Sequence, residues 1–240
     1  MTAIKTDVAI IGGGLAGATA AAMLGRAGID TVLIDPNAEH RPEFRCEKLD
    51  QSQLALLRLT GLADEVLPQT CIDQDVWIVR YGHLIDRRPG GRAGILYHDL
   101  VNAVRGLIPA TVRHYRTKAT AIDTTDGTPV VRLATGEEIS SRVTVLATGL
   151  NPGLRAALGV EHHILSPCHS VSLGFDIRPE GRQNFDFPAL TYFPDRPDQR
   201  LAYLSIFPVR SGMRANLFVY WSLDDQRLQK FRLPHRRLVR

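Results

Sequence analysis

The sequence predicts an α/β protein in which a parallel, helix-flanked sheet is interleaved with an antiparallel one. Three observations predict it. A short apolar run ends in glycines and continues into a helix of small residues. A second apolar run closes on an acid about 20 residues further on. From about residue 166 the texture changes to alternating strands.

Taken in order, Asp7 to Ile11 is a nearly continuous apolar run, the pattern of a parallel strand buried on both faces. Gly12 to Gly17 follows, then Ala18 to Ala27 with helix-compatible residues, Gly28 as a stop, and Thr31 to Asp35 as a second buried strand. Asp50 to about Thr60 has helical spacing through Leu54 and Leu57. Val76 to Tyr81 and Leu84-Ile85 flank Gly82-His83 as a hairpin. Tyr97 to Leu107 is an amphipathic helix. Thr117 to Thr124, Val130 to Leu133 and Ile139 are separated by Asp126-Gly127 and Thr135-Gly136 as a small meander, and Val143 to Ala147 returns to the style of a central parallel strand. Ser170 to Phe175, Ala189 to Phe193, Leu201 to Val209 and Met213 to Trp221 read as an antiparallel sheet suited to floor a substrate cavity.

Composition narrows the class. With 240 residues, 44% hydrophobic and 22% charged, the chain is an ordinary globular protein rather than a disordered or fibrous one. No run approaches the roughly 18 apolar residues of a membrane helix, and no secretory signal is evident. Cys46, Cys71 and Cys168 are odd in number and far apart, which fits a reducing cytoplasm rather than a disulfide framework. The net charge of +4 belongs to the end of the chain. Residues 228–240 hold five basic groups and no acid, and without them 24 basic residues face 25 acidic ones. A solvated tail accounts for that, and no zinc-finger spacing or RNA-binding strand motif argues for a nucleic acid partner.

The glycine loop carries the chemistry. Gly12-x-Gly14-x-x-Gly17 stands between a predicted strand and a predicted helix, with Asp35 ending the next strand. Gly12 permits the tight turn, Gly14 lets a pyrophosphate approach the backbone, and Gly17 lets the helix pack close to the strands. The helix N-terminus offers free N–H groups to phosphates, and Asp35 can accept hydrogen bonds from a ribose diol. FAD and NAD share this grip, so the motif alone does not choose between them.

Residues 7–35 resemble the opening of FAD-dependent oxidoreductases of the para-hydroxybenzoate hydroxylase fold, a superfamily of aromatic-ring and ubiquinone-biosynthesis hydroxylases. Three further stretches are similar to family segments in the family's order: FRCEKLD at 44–50, YHDLVNAVR at 97–105 and VLATGLNPGLR at 145–155. The resemblance implies a Rossmann-like FAD-binding domain over residues 1–165, with 72–96 lending a hairpin to a substrate sheet. It implies an antiparallel substrate domain over 166–227 and a basic tail over 228–240. It puts Gly12, Gly13, Gly14, Leu15, Ala16 and Gly17 on the FAD diphosphate, Asp35 on the adenosine ribose and Arg45 near the flavin. The backbone at Ala119 would meet the adenine, and Thr148-Gly149 would lie close to the diphosphate. A salt bridge to Glu43 or Glu47 is the competing reading of Arg45. Implied activity is that of a monooxygenase: NADH or NADPH reduces the flavin, oxygen adds to it, and the hydroperoxide hydroxylates a small aromatic or apolar substrate. No catalytic acid or base is assigned.

The sequence departs from the family at three places. Thr148 stands where the family has the Asp of an Asp-Gly pair, and Tyr97 stands where its helix opens with Arg. No second Gly-Asp motif follows Gly149, as expected of a chain lacking the family's C-terminal part. A flavin-dependent isoprenoid reductase, or a nucleotide-binding remnant or partner subunit without turnover, are the alternatives. Other chemistry is poorly supported. His162-His163 suit a loop better than a metal site, and no HExxH or GxSxG motif is present. Cys46 beside Arg45 suits a small buried thiol. Trp77, Tyr192, Phe207, Tyr220 and Trp221 suit core packing as well as an aromatic pocket.

Overall fold

The computed structural model describes residues 3–45, 47–167, 169–181 and 184–232. Cys46, Cys168 and residues 233–240 of the basic segment lie outside them.

In chain order the elements are β1 (Ile4–Ile11), α1 (Leu15–Arg26), β2 (Thr31–Ile34), β3 (Lys48–Leu49), α2 (Gln51–Leu59) and α3 (Ala63–Val66). Next come β4 (Cys71–Ile72), β5 (Asp75–Arg80), β6 (His83–Pro89), β7 (Ala93–Gly94) and α4 (Tyr97–Gly106). Then follow β8 (Arg113–Tyr115), β9 (Ala119–Asp123), β10 (Val130–Leu133), β11 (Glu138–Leu146) and α5 (Gly153–Ala157). The last are β12 (Val171–Ile177), β13 (Leu190–Tyr192), β14 (Leu201–Val209), β15 (Gly212–Val219) and α6 (Gln226–Arg232).

Two compact units result. The first comprises Met1–Cys46, Ser52–Gln69 and Ile95–His163. Its six-stranded sheet has the order β8-β2-β1-β11-β10-β9, with β8, β2, β1 and β11 parallel and β10 and β9 antiparallel. The central strands are apolar without alternation because both faces are covered. Ala9, Ile11, Val32 and Ile34 pack with Val131, Leu133 and Ile139 on one side, while Ile10 and Leu33 pack with Ala21 of α1 and Val112 on the other. The strand order reverses between β1 and β11, and the loops leaving the carboxyl ends of β1, β2 and β11 bring Gly12, Asp35 and Thr148 to one edge.

The second unit comprises Glu47–Gln51, Thr70–Gly94 and Ile164–Arg240. Its sheet runs β12-β15-β14-β13-β5-β6, antiparallel except for the β13–β5 pair, and a small sheet β3-β7-β4 belongs to the same unit. Asp225 starts α6 by accepting from the backbone N–H of Arg227, and its carboxyl is held down to about 2 by the Arg227 side chain.

Several elements differ from the sequence reading. Ile139 and Val143 to Ala147 do not belong to separate strands. β11 runs unbroken, pairing antiparallel with β10 near its start and parallel with β1 throughout, since Ser140, Ser141 and Arg142 place no turn residue between them. The edge strand β8, the short strands β3, β4 and β7, and α3 were not anticipated, being too short to show a period. Residues 228–232, read as the start of a solvated tail, lie in α6, where Leu228 is buried with Leu217, Val219 and Trp221.

Candidate functional site

The glycine loop takes its shape from two close approaches. Gly12 adopts φ +105°, and a Cβ there would stand 2.5 Å from the Ala147 carbonyl oxygen. Gly17, in the first turn of α1, lies so close to the strand end that its Cβ would meet the Gly12 oxygen at 1.8 Å. Gly14 is different: a Cβ there would meet nothing within 4 Å. Gly14 is also the N-cap of α1, with no side-chain cap and no acid in the first turn, so the leading N–H groups of Leu15, Ala16 and Gly17 are left to an outside acceptor.

Asp35, 9% exposed, is tied to this loop. Its Oδ2 accepts from the Gly13 N–H at 2.7 Å, and its Oδ1 accepts from the Asn37 N–H at 2.9 Å. Each carboxylate oxygen keeps a further lone pair for an external donor. The brace behind the pair is Arg105 in the last turn of α4, a residue that sequence reasoning missed. Its Nη1 donates to the Gly13 carbonyl at 3.0 Å and stands 3.5 Å from Asp35 Oδ1; its Nη2 donates to the carbonyls of Asn37 and Ala38 at 2.5 and 3.1 Å. The Arg105 side chain is only 8% exposed. Nearby, burial pushes the His114 imidazole below its usual pKa; Arg105 and Arg116 push the same way and Asp35 opposes them.

A cavity of about 470 Å³ opens beside this loop, lined among others by Gly12, Asp35, Lys118, Ala119, Thr148 and Leu154. Four of the sequence-predicted positions, Gly12, Asp35, Ala119 and Thr148, therefore share one wall system. Gly149 follows at φ +60° and does not line it. The Thr148 hydroxyl donates to the Asn151 carbonyl at 3.3 Å. On α5, whose Gly153, Leu154 and Ala157 face the cavity, Arg155 has Nε and Nη2 buried with no hydrogen-bond partner among the described residues.

Arg45 is not brought to this cavity. Its Nε donates to Glu43 Oε1 at 2.7 Å, and its guanidinium lies 5.5 Å from the centroid of the Tyr97 ring. Burial pushes the Glu43 carboxyl up, but hydrogen bonds from Arg45 and His40 outweigh it and hold it below the usual range. Tyr97, at the position where a cation was expected, thus has one resting against it. The five aromatic residues do not form one pocket. Register places Trp77 and Tyr192 on one face of the second sheet and Phe207 on the other, while Tyr220 and Trp221 follow β15. His162 and His163 lie in an exposed irregular segment. Among the described residues, no group of three His, Cys, Asp or Glu side chains gathers to hold a metal, and no helix is long and apolar enough to cross a membrane.

The sequence profile of a family described as FAD binding domain matches residues 5–234. The chain belongs to this FAD-binding family. Its fold is shared with solved flavoprotein structures. PqsL of Pseudomonas aeruginosa, solved in complex with 2-aminobenzoylacetate, is 22% identical over 95% of this chain and 63% of its own, with a TM-score of 0.72. The p-nitrophenol 4-monooxygenase PnpA of Pseudomonas putida is 16% identical over 97% of this chain and 61% of its own, with a TM-score of 0.73. Aklavinone-11 hydroxylase, solved with FAD and aklavinone, is 22% identical over 94% of this chain and 48% of its own, with a TM-score of 0.69. The FAD-binding chain thus spans less than two thirds of the length of these structures, and at these identities the likeness is one of fold. A search of curated proteins finds no match.

Proposed function

We propose that the chain holds the ADP half of FAD at the glycine loop and serves a flavin-dependent monooxygenase acting on a small aromatic or apolar molecule. The observation that carries this reading is the open, uncapped start of α1 at Gly14 beside the cavity shared by Gly12, Asp35, Ala119 and Thr148. In it, the N–H groups of Leu15, Ala16 and Gly17 receive the diphosphate, with Gly13 held in place behind them. Asp35 accepts from the ribose, the backbone at Ala119 borders the adenine, and Thr148-Gly149 borders the diphosphate. Arg45, outside the cavity and paired with Glu43, is the candidate for the flavin end. The residues present fit the group: there is space at Gly14, no competing acid in the first turn, and in half-buried Arg155 two buried guanidinium nitrogens without a hydrogen-bond partner among the described residues.

Bound FAD supplies two-electron redox chemistry and, with NADH or NADPH as reductant, the activation of oxygen. The protein's own part is to bind, orient and exclude water. The p-nitrophenol named for the Pseudomonas putida enzyme supports a small aromatic substrate here, and a cytoplasmic setting suits the reductant.

A second reading, FAD binding without turnover, is favoured by Thr148, a neutral residue whose hydroxyl is turned to Asn151. The visible spectrum separates the two. An active enzyme is yellow and is bleached by NADH or NADPH in the presence of substrate. A binding chain is yellow and stays so. A colourless chain that takes up no added FAD contradicts both.

A further inference from the structure

Residues 35–45, between β2 and β3, contain no helix or strand, yet their course is set by one helix. Side chains from three places on α4 hold the segment. Near the end of the helix, Arg105 donates to the carbonyls of Asn37 and Ala38. About one turn earlier, Asn102 uses both ends of its amide on His40. Its Oδ1 accepts from the His40 N–H at 2.8 Å, and its Nδ2 donates to the His40 carbonyl at 3.1 Å. At the start of the helix, the Tyr97 ring meets the His40 ring edge-on, with centroids 5.4 Å apart and planes at 78°. Backbone groups that no ladder serves are thus met by α4.

The outer end of the segment converges on that same ring. The Arg45 guanidinium lies over it, 5.5 Å from the centroid. Glu43 Oε1 accepts from Arg45 Nε at 2.7 Å and stands 2.9 Å from His40 Nε2, so one carboxylate oxygen gathers both side chains at Tyr97. The face of an aromatic ring attracts a cation, whereas an arginine at position 97 would repel Arg45. With Nε on Glu43, the terminal nitrogens of Arg45 have no hydrogen-bond partner among the described residues. The side chain is 39% exposed, so these donors are open to an outside acceptor.

We propose that Tyr97 is a positioning residue for Arg45: the face of its ring fixes where that guanidinium presents its charge, while Asn102 fixes the segment that carries it. This rests on the reading of Arg45 as the group at the flavin end and adds the residues through which α4 acts on it. The helix opens without a cation of its own, and the ring at that place holds one supplied by the segment laid over it. The Tyr97 hydroxyl has no part in this.

The test titrates the whole chain with FAD and with ADP, which lacks the flavin end. Arg45→Met should lower FAD affinity about tenfold or more and leave ADP affinity unchanged. Tyr97→Leu, which keeps an apolar side chain without the ring, should lower FAD affinity about two- to fivefold, again without effect on ADP. Tyr97→Phe should match wild type, and Tyr97→Leu should have no further effect once Arg45 is Met. Should Tyr97→Leu fail to fold, Asn102→Ala, which releases the segment at His40, takes its place with the same expectations. Unchanged FAD affinity in Tyr97→Leu while Arg45→Met weakens it overturns the positioning role alone. So does a loss shared equally by FAD and ADP, a loss in Tyr97→Phe, or a Tyr97→Leu effect that persists beside Arg45→Met. Unchanged FAD affinity in Arg45→Met overturns the flavin-end reading of Arg45 and the proposal with it.

Discussion

The backbone N–H of Gly13 donates to Asp35 Oδ2 at 2.7 Å, so the loop after β1 and the acid at the end of β2 form one rigid piece. The carboxylate acts twice in this arrangement. It fixes the loop in the shape that leaves Gly14 open, and it keeps lone pairs for an outside donor.

Asp35→Ala should therefore weaken FAD binding by more than a lost ribose contact. A charged hydrogen bond is worth about 1.5–3 kcal/mol, or roughly 10- to 150-fold in affinity. Flavin fluorescence quenching measures it. Affinity equal to wild type would remove Asp35 from the site.

Gly14 and Gly17 separate binding from folding. Gly14→Ala adds a Cβ where nothing stands within 4 Å, so the melting temperature should hold while FAD affinity falls at least tenfold. Gly17→Ala drives a Cβ to 1.8 Å from the Gly12 oxygen, so the chain should lose stability by about 1–3 kcal/mol as well. Thermal melts paired with FAD titration check the contrast. Unaltered FAD affinity in Gly14→Ala would show that phosphate does not approach there.

Arg105→Met keeps much of the volume but removes the hydrogen bonds to Gly13, Asn37 and Ala38 and leaves Asp35 without its cation. Breaking a buried ion pair from one side costs about 3–5 kcal/mol, and this pair belongs at the lower end because it is long. Urea unfolding should show the loss. Wild-type stability would mean that the brace is ornamental.

Because His114 titrates below its usual value in the folded chain, the unfolded state takes up its proton first as pH falls. Its contribution is intact above the ordinary histidine range, near pH 6.5, and declines as pH drops below it. His114→Gln should flatten that part of the stability profile between pH 7.5 and 5.5. An identical slope in wild type and variant would contradict the assignment.

How much of this could be read from sequence depends on how local the cause is. The β1–α1–β2 unit was legible because an uninterrupted apolar run, spaced glycines and a terminal acid each act within 30 residues. That Gly12, Asp35, Ala119 and Thr148 meet around one cavity follows from their places at or just beyond strand ends in a sheet whose order reverses between β1 and β11. Arg105 was not legible, since its role depends on how the end of α4 packs beside the glycine loop, a contact across 92 residues. The unbroken β11 and the edge strand β8 escaped for another reason. Polar residues such as Ser140 and His114 lie inside strands that pair with β1 and β2, distant in sequence.

The central claim is that the start of α1 and the acid of β2 hold the adenosine diphosphate end of the cofactor. Equilibrium titration of the purified chain with FAD, FMN and ADP tests it most directly. Saturable, one-to-one uptake of FAD, displaced by ADP and not shared by FMN, is the predicted result. Binding of FMN as tightly as FAD, or no saturable uptake of FAD at all, would contradict it.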